Sequence, residues 1–533
     1  MATLIVENIP SQKSPPAQSD RHLAASIGKN TIFGIASSAA QVGTRLITVP
    51  VVIHHLGLGG YGIWSIIMVT AAYMRFGSAG IKSAFQKYVA EATGNGDFET
   101  PNKLLSTGAI SMLVISLVGL IPIAFYARQL AIAGGVPQEF LPAAAESLKI
   151  LACIYAISNF GAAFEAIVMG GHRIDLTRKF TTILTVCEAL VIIEMLHLGY
   201  GLLAMTIVMG ASELIYIALC YFASHRVVPQ MHVSFKNFTK KAFPELIRFA
   251  GSYQLVNVLE LLYGAILPIV LLRFFGAAAA GVFAVATRVV TSALIAQDAL
   301  IVPILSGGTM IFATGSRERV RLFLAKSFKV TLAVALGPLA FVCAFGTTMI
   351  FAWTGEVDSR FRMVLWLASL AALLKAVSLL QLVLYRASGR ALLDNIRQVL
   401  RIVTILIVAF FGRDVGFTGM LGGMAGAELV GVLFMFFAMS KTFRDFSLKI
   451  VGVDALRIAI AAGLVVGAGA IAGMVPIPWP VTGRLAALAK LVEITAGSLI
   501  AVWPVLILTK SVSKAERRTL LDALISRRVL AGV

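Results

Sequence analysis

NTIFGIASSAAQVGTRLITVPVVI, residues 30–53, carries a single charge in 24 positions. As a helix it rises about 36 Å, enough to cross the ~30 Å hydrocarbon layer of a bilayer. Gly34, Ser38, Gln41, Arg45 and Thr48 recur at helical spacing, so the run has one polar stripe with a cation in its middle. Such a stripe faces a wet cavity or another helix, not lipid.

Thirteen further runs of this kind follow, at 60–80, 104–127, 146–169, 180–198, 200–222, 249–273, 278–305, 327–352, 363–386, 398–412, 416–438, 457–477 and 485–509. The eighth is long enough to continue past the bilayer as an interfacial segment. The eleventh is short, and Arg397 and Arg401 read as snorkelling anchors at its start. The 533 residues are 58% hydrophobic and 13% charged, with mean hydropathy +0.89. Globular chains are roughly 45–50% apolar and about 25% charged, so an ordinary soluble enzyme and a disordered chain are both excluded. The fold class expected is an all-α polytopic membrane protein of about fourteen transmembrane helices.

The net charge of +19 tests the segmentation independently. With the N-terminus inside, 33 of the 45 Lys and Arg fall in cytoplasmic segments. Only Arg128, Lys149, Arg273, Arg360, Arg362, Arg413 and Arg484 fall outside. A missed or invented span would scramble this alternation, so both ends are expected on the cytoplasmic side. The charge is then orientation rather than nucleic-acid affinity. Residues 1–29 are polar, lack a signal-peptide core and read as a disordered tail. Cys153, Cys187, Cys220 and Cys343 all lie in apolar runs, away from any disulfide or metal spacing. The 510–533 tail has an apolar face, Leu520, Leu521, Leu524, Ile525 and Val529, opposite four arginines, and opens on Ser513-x-x-Glu516. It reads either as a basic helix lying on anionic lipid or as an ordinary positive-inside tail.

The chain repeats. Pro50 in ITVPVVIHHLG (47–57) matches Pro268 in AILPIVLLRFFG (265–276), Gly57 matches Gly276, and Tyr61-Gly62 matches Ala280-Gly281, at an offset of 218 to 219. Thr93-Gly94 and Thr314-Gly315 follow. The unit is six helices, an even number, so both copies insert with the same orientation, related by an axis along the membrane normal. The resulting division is an N-lobe over 30–222, a linker at 223–248, a C-lobe over 249–440, and a C-terminal helix pair within 441–509.

Asn30-Thr31-x-x-Gly34, Pro50, Leu56-Gly57, Tyr61-Gly62-Ile63-Trp64, Gly80 and Ala90-Glu91-x-x-Gly94-x-Gly96-Asp97 resemble the opening of the bacterial polysaccharide flippases, which belong to the multidrug/oligosaccharidyl-lipid/polysaccharide exporter superfamily. The resemblance is strongest over 30–105 and recurs at 248–330; the extra helix pair is similar to that of lipid II flippases. It implies two lobes in a V around a cavity lined by the first, second, seventh and eighth helices. It also implies an undecaprenyl-diphosphate-linked oligosaccharide moved between leaflets by alternating access. No cofactor is implied, and the driver is an H+ or Na+ gradient. Its partners would be membrane lipids and the glycosyltransferases and polymerase of lipopolysaccharide or exopolysaccharide synthesis.

Charges at bilayer depth are costly, roughly 2.5–3.5 kcal/mol each on an insertion scale, and are read as functional. On the implied cavity helices, Arg45, Arg75 and Arg288 suit a diphosphate because each offers a permanent planar donor fork. Lys375 stands alone as a fourth cationic candidate. Gln41, Tyr253 and Asn257 add polar lining. Glu260 and Asp298 are the ion-coupling candidates. The competing reading pairs Arg288 with Glu260 and Arg45 with some other acid, purely to cancel buried charge. Lys490 and Glu493 read as a local pair, and Glu165 and Glu194 as interfacial; Glu188, Glu213 and Glu428 have no assigned role. Gly419-xxx-Gly423, Gly422-xxx-Gly426 and Gly469-xxx-Gly473 read as helix-packing surfaces. His54-His55 lacks further metal ligands. No Walker A loop or HExxH occurs. A multidrug or cation antiporter of the same fold is the alternative. A membrane polymerase or glycosyltransferase fits poorly, because the longest outer loop, 128–145, offers little chemistry.

Overall fold

A computed structural model of the chain describes residues 17–75, 79–314, 317–387, 392–442, 448–475 and 482–511. Among these the regular structure is helical: α1 (Ala17–Arg75), α2 (Ala79–Asn95), α3 (Glu99–Ala133), α4 (Leu141–Gly170), α5 (Ile174–His197), α6 (Leu202–Val227), α7 (Phe243–Ala293), α8 (Ile295–Thr314), α9 (Arg317–Thr354), α10 (Arg360–Ala387), α11 (Leu392–Thr442), α12 (Leu448–Ala472) and α13 (Gly483–Leu508), with two short 3-10 turns between α6 and α7. The first helix begins inside the stretch expected to be a disordered tail. The basic C-terminal tail beyond Ser511 lies outside the described residues.

Among the described residues, twelve segments are long and apolar enough to cross a membrane. Four of them run to 35–37 residues, and two of these, Ala40–Met74 and Val258–Ala293 with 35 and 36, about 53 Å each if straight, break at a glycine. Both fold back at a glycine in extended, left-handed backbone: Gly57 (φ 69°, ψ 171°) and Gly276 (φ 84°, ψ 175°). The fold-back shows in the contacts. Gln41 and Met68, on the two arms of α1, line one cavity. The second arm of α1 meets α7 at Gly62–Gly281 and at Tyr73–Leu261. The stretch from Gly62 to Tyr73 covers about 16 Å, whereas that from Leu261 to Gly281 would cover about 30 Å if it ran straight. Helix α11 turns likewise at Gly412 and Gly416, which brings Arg401 into an ion pair with Glu428 on its return arm. Counting arms, the described residues offer fourteen membrane-crossing segments.

The two repeats carry the same device at the same place. Gly57 and Gly276 share one conformation, and the return arms end alike, with α2 resuming after the first and α8 after the second. The eighth crossing therefore breaks at Leu294 and does not run on as one helix. The repeats also touch reciprocally. A Cβ on Gly62 would lie 2.4 Å from the Ala277 carbonyl, and one on Gly281 would lie 2.0 Å from the Leu58 carbonyl. Equivalent residues of the two lobes thus meet across a pseudo-two-fold axis, and only glycine permits the approach.

Packing elsewhere follows membrane rules. Val118, Phe125, Leu190, Phe410 and Leu499 stay exposed on the outer surface, while close contacts use small residues. Gly469 and Gly473 seat α12 against Ser498 and Ile494 of α13, and Gly423 sits on Val408. Gly422 and Gly426 face open space, so that motif is not a packing surface. The α12–α13 pair packs on α9. The linker after α6 is pinned to the start of α3: Asn102 Nδ2 donates to the Gln230 carbonyl (3.0 Å), and Ser106 and Thr107 hydroxyls accept from the Ser234 and Thr239 amides (3.0 Å each).

Candidate functional site

The polar stripe of α1 lines a cavity of about 520 Å³ in the N-lobe, together with residues of the return arm, α4, α5 and α6, and with Arg288 from the C-lobe. The stripe's hydroxyls are satisfied within the helix: Thr44 donates to the Ala40 carbonyl and Thr48 to that of Thr44, both at 2.9 Å. Arg45, between them in sequence, lines the same cavity. Thr291 and Ser292 hydroxyls bond the Arg288 carbonyl at 3.1 and 2.8 Å and leave its guanidinium to the cavity. The two arginines, one from each lobe, line the same cavity, and like charges there repel each other. Among the described residues neither has a carboxylate partner.

A second cavity, about 700 Å³, is an apolar groove between α9, α12 and α13, walled by residues such as Val334, Phe341, Val466 and Leu499. Arg288 lines both spaces, so a cation stands where the polar cavity and the apolar groove meet. Leu46 and Trp353 form another part of the groove's rim. Their contact has a cause in the sequence. Pro50 has no N–H, so the Leu46 carbonyl one turn earlier loses its helical donor. The Trp353 indole N–H fills the vacancy at 2.8 Å, joining the C-lobe to α1. Arg484 of α13 in turn donates to the Ala352 and Trp353 carbonyls.

The acidic candidates are placed differently from expectation. Glu260 accepts from Lys375 Nζ (2.6 Å), Gln398 Nε2 (2.5 Å) and Arg401 Nη1 (2.8 Å). Arg401 is fully buried, also pairs with Glu428, and lies 3.9 Å over the Tyr263 ring. Arg397, 3% exposed, binds Asp394 (3.1 Å) and Ser378 (2.9 Å). So Lys375 is not solitary, Arg288 does not pair with Glu260, and Arg397 and Arg401 are core residues rather than anchors. Two opposite charges in a low-dielectric interior hold each other there far more cheaply than either could be buried alone. With two cations on Glu260, its carboxylate is already neutralised. Asp298 is exposed on α8 and lines neither cavity. The side chains of Arg75, Tyr253 and Asn257 lie outside the described residues.

Other readings hold: Lys490 pairs with Glu493 at 3.2 Å, and the four cysteines are free. Glu165 pairs with Lys82 and also lines the N-lobe cavity. The residues missed were Gln398 and the partners of Arg401. A signal existed: Asp394, Arg397, Gln398 and Arg401 stand at i, i+3, i+4 and i+7, the same polar-stripe template that singled out α1.

Solved structures with the same architecture include the lipid II flippase MurJ in an inward closed conformation, 17% identical, covering 88% of this chain and 98% of that one at TM-score 0.67. A multidrug resistance transporter of the MATE family, inward-facing, is 14% identical and covers 78% and 99% at TM-score 0.63. A MOP superfamily transporter from Pyrococcus furiosus, also 14% identical, covers 79% and 95% at 0.57. At such identities the likeness speaks for the fold. None of the curated proteins matches the chain. The sequence over residues 27–306, more than half of the chain and including both Gly-hinged hairpins and Arg288, matches the polysaccharide biosynthesis protein family, and the chain belongs to it.

Proposed function

We propose that this protein flips an oligosaccharide linked to a polyprenyl diphosphate, undecaprenyl diphosphate in a bacterial inner membrane, by alternating access of its two lobes. The observation that carries this reading is the position of Arg288 on the boundary between a polar cavity and an apolar groove, with Arg45 beside it from the other lobe. An amphiphile with a charged waist fits that layout. The glycan occupies the polar side, the diphosphate spans the two arginines, and the prenyl chain lies along α9, α12 and α13. Arginine suits the waist because it stays charged and presents paired donors to phosphate oxygens. Since the arginines come from different lobes and repel each other, an anion between them draws the lobes together. That is how ligand binding biases the conformational equilibrium. The lipid II flippase among the solved structures handles a substrate of this general kind. The MATE transporters share the fold too, but a paired-arginine waist repels cationic drugs.

The test is transport into proteoliposomes of a fluorescent polyprenyl-diphosphate oligosaccharide. Arg288→Glu and Arg45→Glu are expected to abolish flipping at unchanged expression, while Arg288→Lys keeps part of it. Efflux of an organic cation with no flipping in the wild type would favour the antiporter reading.

A further inference from the structure

The diphosphate reading uses one wall of the N-lobe cavity and leaves the other unexplained. That far wall carries carboxylates. Glu188 of α5 and Glu213 of α6 line the same space as Arg45 and Arg288, with Thr185 beside them. Glu188 is hydrogen-bonded to Ser212, and Ser158 donates to Glu213, so serine hydroxyls orient both acids. A second, independent observation comes from Tyr61. Its side chain lines the cavity and is only 3% exposed, yet its hydroxyl has no hydrogen-bond partner among the described residues. Buried polar groups are almost always paired, so an unpaired hydroxyl on a side chain that lines a cavity is a group a ligand can satisfy once the ring shifts slightly. The space also holds an aromatic face, Trp64.

These are the parts of a saccharide site. Ionised carboxylates only accept hydrogen bonds, and a sugar ring offers several hydroxyl donors at close spacing. Tyr61 supplies a hydroxyl that donates or accepts, and the indole of Trp64 offers an apolar surface to the C–H face of a pyranose. A cavity of about 520 Å³ lies within the usual range for small-ligand sites. The same carboxylates act against a sugar that is itself an acid, because like charges repel strongly where water is scarce.

We propose that Glu188 and Glu213, with Tyr61, form a saccharide subsite that accepts neutral and amino sugars and rejects uronic acids next to the diphosphate. This rests on the flippase reading and adds a specificity to it. Full-length protein in phosphatidylethanolamine/phosphatidylglycerol nanodiscs is titrated calorimetrically with two short-chain probes, farnesyl diphosphate glucose and farnesyl diphosphate glucuronate. The wild type binds the glucose probe at least about tenfold more tightly. Glu188→Gln and Glu213→Gln narrow that ratio by strengthening glucuronate binding, Thr185→Glu widens it, and Tyr61→Phe weakens the glucose probe. Equal wild-type affinities, or a ratio unmoved by all three charge variants, overturn the subsite; the flippase reading then survives if binding is still lost in Arg288→Glu. An unmoved ratio, combined with flipping in proteoliposomes that no longer depends on a proton or sodium gradient in the Gln variants, reassigns the two acids to ion coupling and overturns the subsite as well. Binding of neither probe overturns the flippase reading and the subsite together.

Discussion

Arg401 is the most deeply committed side chain in the molecule, fully buried between Glu260 and Glu428 and stacked on Tyr263. Its pairing matters more for folding than for recognition, because breaking a buried pair strands an uncompensated charge. Glu428→Gln is therefore expected to destabilise the protein by about 3–5 kcal/mol, read from unfolding in a mild detergent series. The double variant Arg401→Met/Glu428→Leu, which removes both charges, should recover much of that loss. Arg45 and Arg288 behave oppositely. With no carboxylate partner to strand among the described residues, their loss is expected to leave stability nearly intact and to remove flipping. The sequence already marked those two by their place on the repeated helices. It did not separate them from Lys375, because isolation in a sequence window says nothing about a carboxylate more than a hundred residues away.

At the scale of elements, Gly-hinged hairpins and their contacts carry the architecture. Gly62 and Gly281 let the lobes touch backbone to backbone, so Gly62→Val is expected to wedge them apart. A Gly59→Cys/Ala277→Cys pair reports this. A Cβ at Gly59 would lie 3.5 Å from that of Ala277, within disulfide reach, and the cross-link should fall several-fold in the Gly62→Val background. The Trp353–Leu46 bond exists because of Pro50, which makes a double-mutant cycle informative. Trp353→Phe should cost on the order of 0.6–1.7 kcal/mol alone, and close to nothing combined with Pro50→Ala, where the restored N–H claims the Leu46 carbonyl. Equal costs in both backgrounds would sever the link between the two residues. The glycines and the proline were legible from the repeat. Trp353 was not, since its partner is a backbone atom of another lobe.

On the scale of the whole molecule, the C-terminal helix pair completes a groove that the two lobes alone would leave open on one side. Val466→Trp, which fills that groove, is expected to stop flipping of a prenyl-linked substrate while leaving binding of a prenyl-free sugar diphosphate in the polar cavity within about twofold, as seen by the same titration. The pair is also tied to the lobe contact, since Arg484 of α13 holds the carbonyl of Trp353. Chain filling the groove thus lies against the residue that joins the C-lobe to α1.

By itself the sequence determined the number of crossings, the two-lobe repeat, the appended pair and the family. Each of these rests on local hydropathy, on glycine and proline, or on the alternation of loop charge, which the chain writes in order along its length. Among the described residues, only the tertiary structure decided which intramembrane charges are paired. It put Glu260 and Lys375 into one ion-pair network and Asp298 away from both cavities, set Tyr61, Glu188 and Glu213 in the lining of the polar one, and showed one arginine shared by a polar and an apolar space. The physical reason is that a buried charge is defined by what stands a few ångströms away, and in this fold those neighbours come from helices far apart in the chain.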